Sequence, residues 1–288
     1  MRIVVFAFCV ACCAPPVLAQ PPAAPQAPPP VQPAPIAFPG QYAPPPPDWR
    51  YPVWPKGCTR FEADERVACL EFNAYDFGRL ARFAEANAAL GTAPAAGRVV
   101  FFGDSITDNW SRAASGGFFP GRPYVNRGIG GQTTGQMLVR FRADVIELHP
   151  AAVVILAGTN DLAGNAGPVT PEQVLANLGT MTELAKLHGI KVVLASILPV
   201  ADDKKDATGA PLLRSQQKPV DLLRSMNARL AQLAAGEGQV FLDYFSAMAD
   251  QAGHFRPDLN DDGLHPNAQG YAVMAPLAEK ALALALGP

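Results

Sequence analysis

The chain has 288 residues, 49% apolar and 17% charged, with 23 basic against 25 acidic side chains. Near-neutral charge excludes the basic excess of a generic nucleic-acid binder, and no apolar run reaches the ~18–20 residues that span a bilayer. Seventeen of the 30 prolines fall in residues 1–57, so the globular arithmetic belongs to 58–288, a length suited to one α/β domain.

Met1-Arg2 opens a short apolar stretch, and Val17-Leu18-Ala19 places small residues at −3 and −1 before Gln20. Residues 1–19 therefore read as a secretory signal peptide, which directs the protein to the periplasm or the medium. Lipid anchoring at Cys12 is the other possibility, because Val10-Ala11 precede it; against this, Cys9 stands where a leucine is usual. Residues 20–57, with Pro28-Pro29-Pro30 and four consecutive prolines at 44–47, cannot bury enough apolar surface to fold and read as an extended tether. Cys9, Cys12 and Cys13 leave with the signal peptide, and Cys58 and Cys69 remain as an even pair in an oxidising compartment. They read as a structural disulfide on one condition. A capping box at Thr59 and Glu62 predicts a helix, and an unbroken helix would hold the cysteines ~15 Å apart against the ~7 Å a bridge tolerates.

From Asp76 the spacing of Leu80, Phe83, Ala84, Asn87 and Leu90 predicts an amphipathic helix closed by Gly91. Apolar runs at 99–102, 124–126, 152–156, 191–197 and 240–242 then alternate with helical stretches near 134–148, 171–188, 212–235 and 267–286. Continuous apolar strands separated by helices predict a parallel sheet covered on both faces. Ligands bind such sheets beyond the carboxyl ends of the strands, so the functional residues should follow the apolar runs.

Four polar or glycine-rich segments stand there: Gly103-Asp104-Ser105-Ile106-Thr107, Gly128-Ile129-Gly130-Gly131-Gln132-Thr133, Gly158-Thr159-Asn160-Asp161, and Asp262-Gly263-Leu264-His265. Ser105, between a strand end and a helix start, faces unpaired N–H groups that favour developing negative charge. A lone serine there is an ordinary N-cap, and its alcohol is inert without a base. Among four histidines, His149 and His188 sit at helix ends and His254 lies in a loop. His265 differs, because Asp262 three residues earlier can fold back onto its ring and fix its tautomer; Asp258 and Asp261 compete for that role. An oxyanion site needs converging donors, which Gly130-Gly131 and the Asn160 amide can supply, although each taken alone also suits a tight turn or an Asx cap. Thr133 occupies the third glycine position of a dinucleotide-binding loop, Ser105 lacks the G-x-S-x-G elbow, and no His/Cys cluster has metal-ligand spacing.

In this order the four blocks resemble those of the SGNH (GDSL-type) hydrolase family, over about residues 76–288. The resemblance implies a flavodoxin-like three-layer α/β/α sandwich with a five-stranded parallel sheet, and hydrolysis of esters without a cofactor or metal. It implies Ser105 as nucleophile, Asp262 and His265 as its acid–base partners, and Ser105, Gly131 and Asn160 as the oxyanion hole. Gln132 replaces a frequent aspartate and Gly130 a frequent serine, and neither change removes a backbone donor. Residues 58–75 lie outside the match. The expectation is an exported serine esterase acting on small acyl esters, acetyl foremost, of a small molecule or glycan. The alternatives are a lysophospholipase- or thioesterase-like acyl hydrolase and a catalytically idle glycan-binding module. The stretches 116–119 and 201–215 either border the substrate pocket or are ordinary surface loops. A neutral histidine base predicts activity rising through about pH 6–7.

Overall fold

The computed structural model describes residues 76–287, except 92, 94–96, 113 and 114. The signal peptide, the proline-rich segment, the Thr59–Glu62 capping box and the Cys58–Cys69 pair lie outside the described residues. In chain order the elements are α1 (Ala84–Leu90), β1 (Val99–Gly103), α2 (Ser105–Trp110), β2 (Tyr124–Gly128), α3 (Thr134–Asp144), β3 (Ala152–Leu156), α4 (Thr159–Leu162), α5 (Pro171–Leu187), β4 (Lys191–Ala195), α6 (Val220–Gly236), β5 (Val240–Leu242), α7 (Tyr244–Met248) and α8 (Ala268–Leu286).

All five strands are parallel, in the order β2-β1-β3-β4-β5. Alternation along each strand sends neighbours to opposite faces. Val100, Phe102, Val153, Ile155, Val192 and Leu194 pack under α3, α5 and α6, against Met137, Phe141, Leu178, Met181 and Leu230. Val99, Phe101, Val154, Leu156 and Val193 face the other way, onto Trp110 of α2 and Tyr271, Met274 and Ala278 of α8. The result is the expected three-layer sandwich, with both faces of the sheet buried. The order in which successive strands are added reverses between β1 and β3, so the ends of those two strands flank the crevice where such sheets hold ligands.

Several boundaries differ from the sequence reading. The helix expected from Asp76 is a 3₁₀ turn at Leu80–Phe83 followed by α1, and the one expected near 134–148 ends at Asp144, before a 3₁₀ turn at Ile146–Leu148. Strand β2 continues two residues beyond Asn126, because Arg127 and Gly128 stay in register with Phe102 and Gly103. Strand β4 stops at Ala195 because the Asn227 side chain of α6 takes over the backbone of Ile197, accepting from its N–H at 2.8 Å and donating to its carbonyl at 2.9 Å. Helix α6 begins at Val220 rather than near 212. Pro219 is its N-cap, and the residue before a proline is pushed out of the helical region, so the preceding stretch holds only a 3₁₀ turn at Arg214–Gln216.

Candidate active site

The nucleophile candidate is placed by the end of β1. Asp104 is the N-cap of α2, its Oδ1 accepting from the Ile106 N–H at 2.9 Å, and Ser105 is the first residue of the helix. Its N–H is thus one of the four that a helix start leaves without an intrahelical partner. The same end of α2 is also held by the Tyr271 hydroxyl of α8, which donates to the Ile106 carbonyl at 2.7 Å.

Before α8, a turn with Gly263 at φ 75° brings acid and base together. The Asp262 Oδ1 accepts from the backbone N–H groups of Leu264 and His265 at 2.9 and 2.8 Å, which leaves Oδ2 to meet His265 Nδ1 at 2.8 Å. Nε2 on the far side of the ring lies 2.9 Å from Ser105 Oγ, across 160 positions of sequence. Partial burial raises the Asp262 carboxyl, but the His265 ring and the two N–H donors more than offset it and hold the group well below the usual carboxylate range. An ionised Asp262 accepts only, so Nδ1 carries the ring hydrogen and Nε2 presents a lone pair to the serine hydroxyl. The other carboxylates are engaged elsewhere: Asp258 with Arg256 at 2.7 Å and Asp261 with the Asn267 amide at 3.3 Å.

A third element is the loop leaving β2. An ideal Cβ on Gly130 would lie 3.7 Å from the Ser105 Cβ, so this loop runs beside the serine. Gly131 adopts φ 79°, a left-handed conformation that a side chain would strain. Asn160, in the single turn α4 after β3, donates through Nδ2 to the Gln132 carbonyl at 3.0 Å. Its neighbour Asp161 accepts from the Thr134 N–H and hydroxyl at the start of α3. The β2 and β3 ends are thereby tied together around Ser105. Ser105, His265 and Asp262 are thus joined directly, while Gly131 follows the glycine beside Ser105 and Asn160 meets the same loop at the Gln132 carbonyl.

Four contributors were not anticipated. Arg140 of α3, fully buried, gathers the back of the site: Nε donates to Gln132 Oε1 at 2.5 Å, Nη1 to the Arg127 carbonyl and Asp144 Oδ2 at 2.9 Å each, and Nη2 to the Gly103 carbonyl at 3.0 Å. Its only sequence signal is the Asp144 partner four residues on. Arg214 donates to the Asp262 carbonyl at 3.2 Å and lies 3.5 Å from its Oδ2, so the 201–215 stretch does border the acid. Asn165 contacts both Asn160 and Gly131. Asp104 is completely buried, and burial pushes its carboxyl up to about 7, against the Ile106 N–H and the charges of His265 and Lys218. By contrast, Phe118 and Phe119 of the 116–119 stretch pack with Phe101 and Trp110, which makes this loop part of the core on the α8 face. A cavity of about 480 Å³ lined by Arg224, Asn227, Phe241, Asp243, Phe245 and Asp250 shares no residue with the site.

Residues 101–273 match the model of the GDSL-like Lipase/Acylhydrolase family. The crystal structure of a Bacteroides fragilis protein of proposed acylhydrolase activity is similar, with 40% identity and a TM-score of 0.66 over 74% of this chain and 99% of that one. A GDSL-like lipase from Bacteroides thetaiotaomicron shows 38% identity and a TM-score of 0.65 over 73% of this chain and all of its own. An uncharacterised lipoprotein of Bacillus subtilis, YqeF, is 36% identical over 81 residues, which span 27% of this chain and only a third of that curated relative. The fold, the matched span and these similarities agree: the chain belongs to the GDSL-like lipase/acylhydrolase family and is an ester-hydrolysing enzyme.

Proposed function

We propose that the protein is an exported serine esterase that removes small acyl groups, acetyl foremost, through an acyl-enzyme. The single observation carrying this reading is the continuous relay from Asp262 through His265 to Ser105, at 2.8 and 2.9 Å. Ser105 Oγ attacks the ester carbonyl while His265 Nε2 takes its proton, and Asp262 stabilises the imidazolium that forms. The N–H groups of Ser105 and Gly131, with the free N–H of the Asn160 amide, receive the negative charge on the carbonyl oxygen. Collapse expels the alcohol, which takes the proton from His265. Water then attacks the acyl-Ser105 through the same base and regenerates the hydroxyl.

Export rests on the Val17-Leu18-Ala19 signal and is supported by the name of the B. subtilis relative, a lipoprotein. An enzyme outside the cytoplasm meets acylated glycans, so we assign O-acetyl groups on carbohydrate as its substrate class. The test is hydrolysis of p-nitrophenyl esters from acetate to decanoate, beside acetate release from an acetylated polysaccharide. The reading expects the acetyl ester and the polysaccharide to be hydrolysed best. A maximum at long acyl chains would transfer the assignment to a lysophospholipase-like enzyme. Absence of turnover on every probe would favour a glycan-binding module.

A further inference from the structure

Building on the oxyanion hole proposed above, we infer that Asn165 is a positioning residue that sets the hole by clamping its two non-serine donors, Asn160 and Gly131. Asn165 follows α4 by three residues, and its N–H donates to the Asn160 carbonyl at 3.0 Å, which closes the turn. Its side-chain Nδ2 donates to Asn160 Oδ1 at 2.8 Å and to the Gly131 carbonyl at 3.3 Å. One amide thus touches both loops that supply the hole.

The chemistry of the partners leaves a single arrangement. The carbonyls of Gly131 and Gln132 only accept, so the groups facing them are the NH₂ of Asn165 and the NH₂ of Asn160. With Asn160 Nδ2 on the Gln132 carbonyl, its Oδ1 must face a donor, and Asn165 is that donor. Turning the Asn160 amide over would oppose oxygen to oxygen at Gln132 and NH₂ to NH₂ at Asn165. The clamp therefore leaves the second Nδ2 hydrogen of Asn160 free for the reacting carbonyl, in a fixed direction. Asn165 touches no reacting atom and acts only through Asn160 and Gly131.

Asn165→Asp keeps the shape and removes the donor. A carboxylate then opposes both Asn160 Oδ1 and the Gly131 carbonyl, and either orientation of Asn160 leaves two oxygens in contact. Misplacement of a reacting group by ~1 Å can lower rates about 10²-fold, so kcat on p-nitrophenyl acetate is expected to fall more than about tenfold with KM nearly unchanged. The discriminating measurement is a double-mutant cycle with Asn160→Ala, which alone should lower kcat on the order of 10²–10³-fold. Once the Asn160 amide is gone, Asn165→Asp should lower kcat by less than about tenfold more. A loss in wild-type background below about tenfold, a change confined to KM, or a full second loss beside Asn160→Ala would each overturn the clamp. If Asn165→Asp does not fold, Asn165→Ala runs the same cycle with a threshold of about threefold. Normal kcat in Asn160→Ala would instead remove Asn160 from the hole, and so refute the reading on which the clamp rests.

Discussion

Replacement of Arg140 by methionine probes how the back of the site is held. The guanidinium is fully buried, makes four hydrogen bonds to Gln132, Arg127, Asp144 and Gly103, and stacks 4.2 Å from the Phe102 ring centre. Burial lowers its pKa to about 10 against the support of Asp144, so it is charged at neutral pH. Methionine keeps the apolar contact and removes the charge, leaving Asp144 buried, among the described residues, with the Asn87 amide 2.7 Å from Oδ1 and the charge of Arg127, to which it is not hydrogen-bonded. Breaking a buried pair by removing one partner typically destabilises by about 3–5 kcal/mol. For a domain of this size, that is roughly 10 °C in Tm. The same logic predicts that Arg140→Met/Asp144→Leu, which removes both charges, recovers at least about half of the loss. Chemical denaturation of wild type, single and double variants reads both quantities. A single variant within about 1 kcal/mol of wild type, or a double variant no more stable than the single, would refute the reasoning.

Further outcomes follow from other buried contacts. Asp104 has a folded pKa near 7 against an ordinary value of 3.8, so its contribution is full below pH 4 and is lost as pH rises through 7. Asp104→Asn should match wild type near pH 4 and exceed it by up to about 4 kcal/mol above pH 8, read by unfolding across pH; a pH-independent difference would contradict the burial argument. Gly128→Ala should fold poorly or not at all, because its Cβ would lie 2.2 Å from the Asp108 backbone nitrogen and 2.7 Å from its Cα, which no rotamer relieves; soluble expression and a wild-type Tm would count against it. Asp262→Asn should lower kcat on p-nitrophenyl acetate by about 10⁴-fold while the protein stays folded, since an amide cannot hold the same His265 tautomer; a loss below tenfold would place the orienting group elsewhere.

Much of the architecture was legible because its signals are local. The apolar runs at 99–102 and 152–156 announce buried strands by composition alone, and the D-x-x-H spacing closes the Asp262–His265 contact within one turn. The end of β2 was hidden because Arg127 and Gly128 look like loop residues. The structure accommodates them through Asn126 bonds to Thr107 and Gly128 and an Arg127 stack 4.7 Å from the Phe83 ring centre. The helical stretch near 212–235 contains Pro219, and in the structure α6 starts only after it. Arg140, Arg214 and Asn165 escaped notice for a common reason. Each works through partners brought together only by the fold: Arg140 with Gly103, 37 positions away, Arg214 with Asp262, 48 away, and Asn165 with Gly131, 34 away. A charged residue on a helix, or an asparagine beside a glycine turn, ordinarily faces solvent, and no local pattern separates these cases from that one.

The most direct test of the account is Ser105 itself. Wild type and Ser105→Ala, each confirmed folded, would be mixed with p-nitrophenyl acetate, and nitrophenol release followed while rapidly quenched samples are analysed by peptide mass spectrometry. The account predicts turnover by wild type, an acetyl adduct on the peptide carrying Ser105, and a loss of about 10⁴-fold or more in the variant. Equal hydrolysis by the two proteins, or an acetyl adduct on another residue, would contradict it.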